Sequence, residues 1–234
     1  MTSLRGTHIT WLGHSTVLVT TAAGTNLLID PFIAHNPRYP KDFVLPESIH
    51  YILLTHGHGD HISDAVPVAE KHASTVVAIY ELASYVANKG VKNTIGMNLG
   101  GTVQLNDVAA TLVEAKHSGG AEDESGTHYV GVAGGFVLTI DDGPILYHAG
   151  DTAVFADMQL IRELYKPKLV MLPIGGHFTM GPKEAAVAVR FLAPEAVLPL
   201  HFGTFPPLTG TPEQLAALVE PSVEVIRCQP GDTI

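Results

Sequence analysis

The first fifty residues alternate short apolar runs with turn residues, a pattern that predicts β-strands rather than helices. Apolar and β-branched residues dominate His8–Leu12, Thr16–Thr20 and Asn26–Asp30, and the turn signal before the third run favours antiparallel hairpins. A proline-rich loop covers residues 31–46. The continuous apolar run at 49–54 predicts a short strand that is buried on both faces.

Beyond residue 60, helical and strand patterns alternate. The predicted helices span 64–72, 80–88, 158–165 and 181–192, and a last helix starts at Thr211. The predicted strands span 74–79, 102–105, 108–115, 129–140, 144–148, 169–172, 196–200 and 223–226. We therefore expect an α/β fold in which a β core of two sheets is flanked by helices.

Composition and charge narrow the class of protein. The 234 residues fit one large domain or two small ones, and a charged fraction of only 15% indicates a globular chain. The formal net charge of −10 gives little attraction to phosphate backbones, which disfavours a nucleic-acid partner. The N-terminus lacks the apolar segment of a signal peptide, and no apolar run approaches ~18 residues, so we expect a cytoplasmic location and no membrane partner. Cys228 is the single cysteine; it has no disulfide partner and is predicted to be a buried apolar residue.

The strongest chemical signal is the segment 55–61, Thr-His-Gly-His-Gly-Asp-His, which directly follows the predicted strand at 49–54. It brings His56, His58, Asp60 and His61 together at a strand end. Imidazole and carboxylate groups are the ligands that suit zinc, manganese or iron. A strand end fixes the direction of such side chains while the loop wraps around an ion. A solvated histidine-rich loop without an ion is the less favoured alternative, because further ligand types recur downstream.

Three more residues of ligand type follow predicted strands. His117, Asp151 and His201 each stand just beyond the end of an apolar strand. A single histidine in such a position is more often structural than functional. Strand ends that meet at one edge of a sandwich would, however, bring all of these side chains into one pocket. The joint pattern therefore predicts a metal site.

At this point the chain resembles the metallo-β-lactamase superfamily. The markers Trp11–Ser15, Leu28–Pro31 and Gly176–Pro182 are similar to a branch of metal-dependent hydrolases (UPF0173-like) that is related to ascorbate-6-phosphate lactonase and N-acyl phosphatidylethanolamine phospholipase D. The resemblance covers nearly the whole chain. It implies a four-layer αββα sandwich of the metallo-β-lactamase type, with residues 1–234 forming one hydrolase domain.

The resemblance also implies two divalent metal ions, with zinc as the expected ion and manganese, nickel or iron as alternatives. The implied ligands are His56, His58 and His117 for the first ion, and Asp60, His61 and His201 for the second, with Asp151 bridging both. A hydroxide shared by the ions would attack an ester, lactone or phosphodiester bond of a small-molecule substrate, which can be anionic. Asp60 would in addition hold that hydroxide in line. Members of this branch associate, so a homo-oligomer is expected.

Four other residues and one segment are candidates for supporting roles. His14 is interpreted as a pocket wall or a hydrogen-bond donor near the metals, with a satisfied loop histidine as the equal alternative. Asp30 is predicted to accept a hydrogen bond from a ligand imidazole, with a cap of the loop as the less favoured alternative. His177 and Thr179 precede a helix start, where they could contact an anionic group or protonate a leaving group, with a structural loop as the equal alternative. The acidic, glycine-flanked segment 119–126 predicts a mobile solvated loop, with a lid as the alternative.

Other classes of protein fit parts of the pattern. An iron-dependent oxidoreductase would use the same ligands, but no flavin domain is appended to this chain. A metal-dependent nuclease would need an inserted domain and a more basic surface. A non-enzymatic metal-binding module fits poorly with seven ligands arranged around an open site. A binuclear hydrolase is therefore the preferred hypothesis.

Overall fold

Two β-sheets form the centre of the molecule. The computed structural model describes residues 4–234. The first sheet has six strands in chain order: β1 (His8–Trp11), β2 (Val17–Thr20), β3 (Asn26–Ile29), β4 (Tyr51–Leu53), β5 (Thr75–Ile79) and β6 (Asn93–Met97). The first three strands are antiparallel, as the hairpin pattern predicts, and β3 to β6 are parallel.

The second sheet has seven strands, in the spatial order β15-β14-β13-β12-β11-β8-β7. Their bounds are β7 (Thr102–Leu105), β8 (Val108–Glu114), β11 (Gly134–Ile140), β12 (Ile145–His148), β13 (Leu169–Pro173), β14 (Ala196–Leu200) and β15 (Glu224–Val225). Strands β7 to β12 pair antiparallel and β12 to β15 pair parallel. A separate hairpin is made by β9 (Ala121–Asp123) and β10 (Gly126–His128).

Helices cover the outer faces of both sheets. They are α1 (Gly59–Ile62), α2 (Ala65–His72), α3 (Tyr80–Asn88), α4 (Met158–Tyr165), α5 (Pro182–Leu192) and α6 (Pro212–Ala216). Helices α2 and α3 contact the first sheet; α5 and α6 contact the second, and α4 packs on α5. The predicted αββα sandwich is therefore confirmed. No helix in the part of the chain described is long and apolar enough to cross a membrane.

The alternation of side chains in the second sheet explains why it is covered on both faces. Phe136 and Leu138 of β11 belong to the core between the two sheets, whereas Val137 belongs to the core beneath the outer helices. Strand β13 shows the same division, with Met171 facing one core and Leu172 the other. Successive residues of a strand point to opposite faces, so a continuous apolar run supplies both cores.

Three segments differ from the sequence-based expectation. The acidic segment predicted to be a mobile loop forms the hairpin β9–β10, in which Asp123 accepts hydrogen bonds from Lys89 Nζ at 2.6 Å and Tyr85 Oη at 3.1 Å. Residues 129–133 are not part of a strand; β11 begins at Gly134. Strand β6 was not predicted, because its position at the sheet edge leaves much of it exposed and without an apolar pattern.

The single cysteine is buried, as predicted. Burial, with a smaller effect of the nearby Asp232 carboxylate, raises the pKa of the Cys228 thiol to about 11. Only the thiolate is nucleophilic, so the folded protein holds this group in its unreactive form. We expect slow modification of Cys228 by a disulfide reagent at pH 8 in the native protein and rapid modification in denaturant. Equal rates in the two states would contradict this placement.

The inter-sheet core should dominate stability. Phe136 is fully buried, so Phe136→Ala should lower the free energy of unfolding by about 3–5 kcal/mol, measured by urea denaturation of the metal-free protein. Leu164 is 70% exposed, and Leu164→Ala is the control that should change stability by less than about 0.5 kcal/mol. Similar losses in the two variants would show that β11 is not at the centre of the core.

Candidate metal centre

Four strand ends deliver the predicted ligands to one edge of the sandwich. The segment after β4 carries His56 and His58 and then forms the short helix α1, which contains Asp60 and His61. Strands β8, β12 and β14 are followed by the loops of the three remaining predicted ligands. The sequence positions are far apart, and the two sheets are what brings them together.

The seven predicted ligands fall into three overlapping groups. Within each group the candidate ligand atoms all lie within 4.8 Å of one another. The groups are His56, His58 and His117; His56, His61 and Asp151; and His14, Asp60, His61 and His201. The structure therefore brings together every residue of the predicted ligand set, and it adds His14 to the cluster.

Asp151 stands between the two sides of this cluster. Its Oδ2 lies 3.0 Å from His201 Nε2, 3.4 Å from His61 Nε2 and 3.7 Å from His117 Nε2. The loop of Asp151 is held by its neighbour Thr152, whose Oγ1 accepts a hydrogen bond from Lys116 N at 3.0 Å. One carboxylate oxygen thus faces histidines from both predicted ligand groups, as a bridging ligand requires.

Several buried polar atoms of the cluster have no hydrogen-bond partner among the described residues. These atoms are His61 Nε2, Asp151 Oδ1 and both ring nitrogens of His201. The two Nε2 atoms lie 3.4 Å and 3.0 Å from Asp151 Oδ2 but are not aligned for a hydrogen bond. A buried polar group without a partner costs about 1–3 kcal/mol. Nitrogen and oxygen lone pairs that converge in this way suit a divalent cation such as zinc. The residues present therefore fit the metal ions that the resemblance implies.

Burial also sets the charge of the imidazoles. Burial lowers the pKa of His56 well below its usual value and lowers the pKa values of His58 and His117, with His61 adding to the effect in each case. These three groups are therefore neutral near pH 7. Neutral imidazole is the form that binds a metal ion.

The charges of His61 and Asp151 stabilise each other. Burial opposes the charge of His61, but the carboxylates of Asp151 and Asp30 outweigh it and raise the pKa of His61 well above its usual value. Burial likewise opposes ionisation of Asp151, but His61 and His201 hold the pKa of Asp151 well below its usual value. Asp151 is thus an anion in the interior, and it needs positive charge beside it.

Asp30 accepts a hydrogen bond from the imidazole of His61, one of the predicted ligands. Its Oδ2 accepts hydrogen bonds from His61 Nδ1 at 2.8 Å and from Thr55 Oγ1 at 2.7 Å, and its Oδ1 accepts from Thr55 N at 2.8 Å. Since the Thr55 hydroxyl proton is given to Asp30, the contact of 3.0 Å with His56 Nδ1 must be donated by the imidazole. Both histidines therefore turn Nε2 toward the cluster, where His56 Nε2 lies 2.9 Å from His58 Nδ1. Thr55 was missed by the sequence analysis, although its position before the histidine motif at a strand end is a usable signal.

Gly57 allows a second segment to approach the ligand loop closely. A Cβ atom there would lie 2.5 Å from Val130 Cγ2 and 2.8 Å from Gly119 O. Near this contact, Ser118 Oγ lies 3.2 Å from His58 Nε2. The glycine between the first two histidines is therefore needed for packing against the 118–130 segment.

His14 is fully buried and belongs to the site. Its Nε2 lies 3.0 Å from Asp60 Oδ2, and its Nδ1 lies 3.0 Å from Thr204 Oγ1. Burial lowers the pKa of His14 to about 4, so its ring is neutral near pH 7. Burial opposes ionisation of Asp60, but the hydrogen bond from His14 and the nearby His61 hold its pKa below the usual value. Thr204 was also missed, since no sequence pattern marks it.

The loop of His177 lies beside the cluster rather than inside it. Met180 N donates a hydrogen bond to Thr152 O at 3.2 Å, which ties this loop to the residue after Asp151. His177 itself is exposed and packs against Phe178, with ring centroids 4.4 Å apart. Thr179 donates a weak hydrogen bond of 3.4 Å to Met180 O. The substrate contacts expected of His177 and Thr179 stay predictions.

Comparison with known proteins agrees with this geometry. A family model described as the β-lactamase superfamily domain matches residues 25–202. The chain is 48% identical over 230 residues to a UPF0173 metal-dependent hydrolase from Koribacter versatilis, with 98% of each chain covered. It is 49% identical over 212 residues to a UPF0173 metal-dependent hydrolase from Rubrobacter xylanophilus, which covers 90% of this chain and 88% of the relative.

A solved structure shows the same fold over almost the full length. Igni18, described as a metallo hydrolase from the archaeon Ignicoccus hospitalis, has a TM-score of 0.87 and 34% identity to this chain, with 97% of each chain covered. The family model, the relatives and the four-layer architecture all agree with the resemblance drawn from the sequence. The chain belongs to the β-lactamase superfamily and, within it, to the UPF0173 metal-dependent hydrolases.

Proposed function

We propose that the protein is a binuclear hydrolase. The first ion would be held by His56, His58 and His117; the second by Asp60, His61 and His201; and Asp151 would bind both. The observation that carries this proposal is the position of Asp151, whose Oδ2 lies within 3.7 Å of ligand atoms from both sets. A binding site for a single ion would not need a carboxylate at the boundary of two complete ligand groups.

Two divalent ions, when bound, lower the pKa of water to about 7 and polarise the oxygen of the group under attack. The chain's own residues determine from which side substrate approaches. The side chain of Asp60 is 31% exposed and that of His117 is 12% exposed, whereas His61 and His201 are buried. Substrate therefore reaches the cluster from the side of Asp60. The ionised Asp60 carboxylate can accept a hydrogen bond from the attacking water and hold it in line.

We propose an ester, lactone or phosphodiester bond in a small substrate as the target, with zinc as the ion and manganese, nickel or iron as alternatives. An anionic substrate is favoured by the charge of the two ions. The N-terminus of helix α5 is less available to bind an anionic group of the substrate than the sequence suggests, because the Glu184 carboxylate already accepts a hydrogen bond from Gly181 N at 3.2 Å. The similarity to metal-dependent hydrolases favours hydrolysis over the oxidoreductase and nuclease alternatives. We further propose that the protein is located in the cytoplasm and forms a homo-oligomer, and that it has no nucleic-acid or membrane partner.

Removing one ligand should abolish metal binding and hydrolysis together. After loading with zinc and desalting, the wild-type protein should retain about two ions per chain. His58→Ala and Asp151→Asn should each retain fewer ions and fail to hydrolyse bis-p-nitrophenyl phosphate or a simple lactone. His35→Ala, which removes an exposed histidine outside the cluster, is the matched control and should behave as wild type. Wild-type ion content and rates in Asp151→Asn would disprove the binuclear assignment.

His177 should act on substrate rather than on the metals. His177→Ala should retain both ions but lose roughly 10²-fold or more in kcat if the imidazole protonates the leaving group. The exposed neighbour Phe178 provides the control, since Phe178→Ala changes the same loop without removing a proton donor. An unchanged kcat in His177→Ala would show that His177 is structural and does not act on the substrate.

A further inference from the structure

His14 is held in place from several directions. Its backbone adopts a left-handed conformation, with φ of 54°, which is unfavourable for a residue with a side chain. Its carbonyl oxygen accepts hydrogen bonds from Trp11 Nε1 and from His201 N, each at 3.0 Å. Its ring packs on that of His201, with centroids 4.0 Å apart. A residue held so firmly in a strained conformation is suited to a positional role.

The contacts of the ring determine which nitrogen carries the proton. A carboxylate that binds a metal ion is deprotonated and can only accept, so the 3.0 Å contact between His14 Nε2 and Asp60 Oδ2 requires a proton on Nε2. Nδ1 of the neutral ring is then an acceptor. The hydroxyl of Thr204, 3.0 Å away, must donate to it. Hydrogen bonds therefore run in one direction, from Thr204 through His14 to Asp60.

Asp60 depends on this chain of hydrogen bonds. It lies in the single-turn helix α1, and its side chain is partly exposed. Among residues 4–234, His14 is the only hydrogen-bond donor to its carboxylate; His201 Nε2 is 3.9 Å away. His61, a proposed ligand of the same ion, has support of a similar kind, because its Nδ1 and the Thr55 hydroxyl both donate to the Asp30 carboxylate.

We propose that Thr204 and His14 are positioning residues that orient the Asp60 carboxylate toward the second metal ion. Thr204 holds the orientation of the His14 ring through Nδ1, and His14 then holds one carboxylate oxygen so that the plane of the group is set before an ion arrives. This inference rests on the proposed binuclear function. Neither residue carries out a chemical step; they act through Asp60.

The pair Thr204→Val and Thr204→Ser tests this support of the ring. Valine has nearly the shape of threonine but has no hydroxyl, so His14 Nδ1 loses its donor. The ring is then held by one hydrogen bond fewer and aligns its Nε2–H less well with the carboxylate. We expect Thr204→Val to bind the second ion about 10- to 100-fold more weakly than wild type, with the first ion unaffected. Thr204→Ser should restore wild-type affinity.

The measurement is titration of the metal-free full-length protein with zinc, and with cobalt followed by its visible absorption. The cobalt spectrum reports the ligands around the ion without requiring a substrate. Thr204→Val should change the spectrum of the second equivalent and leave that of the first unchanged. Thermal unfolding of the metal-free variants, which should remain a single cooperative transition, separates this effect from a general loss of structure.

His14 itself provides a second pair of variants. His14→Gln keeps an N–H group that can reach Asp60, whereas His14→Ala keeps none. Weaker binding of the second ion in His14→Ala, partly restored in His14→Gln, would support the proposal even if Thr204→Val folded poorly.

The outcomes separate this inference from the proposed function. If wild type binds two ions and Thr204→Val and His14→Ala both match it in affinity and in cobalt spectrum, the positioning role is overturned and the binuclear site stands. If wild type itself binds one ion or none, the proposed function fails first. An equal loss at both ions in Thr204→Val would also contradict the proposal, because the role assigned to Thr204 is confined to Asp60.

Discussion

The buried carboxylate of Asp151 is the constraint around which the rest of the site is arranged. It is an anion in a part of the protein from which water is excluded, and three imidazoles lie within 3.7 Å of one of its oxygens. An isolated charge of this kind would be very costly. The surrounding histidines reduce that cost only in part, since several of their ring nitrogens lack hydrogen bonds. Cations at this position would satisfy the carboxylate and the imidazoles together, which links the stability of the interior to the binding of metal.

The polar groups behind the ligands direct them toward this centre. Asp30 and Thr55 turn the Nε2 atoms of His56 and His61 toward the cluster. His14 and Asp30 have left-handed φ values of 54° and 47°, as has His201 with 54°. Such conformations cost about 1 kcal/mol or more for residues other than glycine. The stability of the two-sheet core offsets that cost. The left-handed backbone conformations in turn set the direction in which each of these side chains points.

Most of the candidate ligands and most of the strands could be predicted from the sequence, because both follow local patterns. Strand ends are recognisable from apolar runs, and ligand types that follow such runs are easily noticed, so His117, Asp151 and His201 could be identified although they are far apart in the chain. Turn signals and β-branched runs likewise predicted most strands of both sheets. The β9–β10 hairpin was missed because its strands are short and mostly polar; Asp123 and the buried Ala121 hold it in place.

The supporting residues were harder to find. Thr55 and Thr204 contact their partners through hydrogen bonds that depend on the packed structure, and for Thr204 no sequence pattern separates this role from an ordinary one. His14 was recognised as a candidate, but its link to Asp60 joins positions 46 residues apart. Such pairings follow from the way the two sheets meet, which local patterns do not encode.

The most direct test of the account is an anomalous-difference map from crystals of the zinc-loaded protein, recorded at the zinc absorption edge. The account predicts two peaks about 3.5–4 Å apart, on either side of Asp151, with His56, His58 and His117 around one and Asp60, His61 and His201 around the other. A single peak, or peaks outside this cluster, would contradict it.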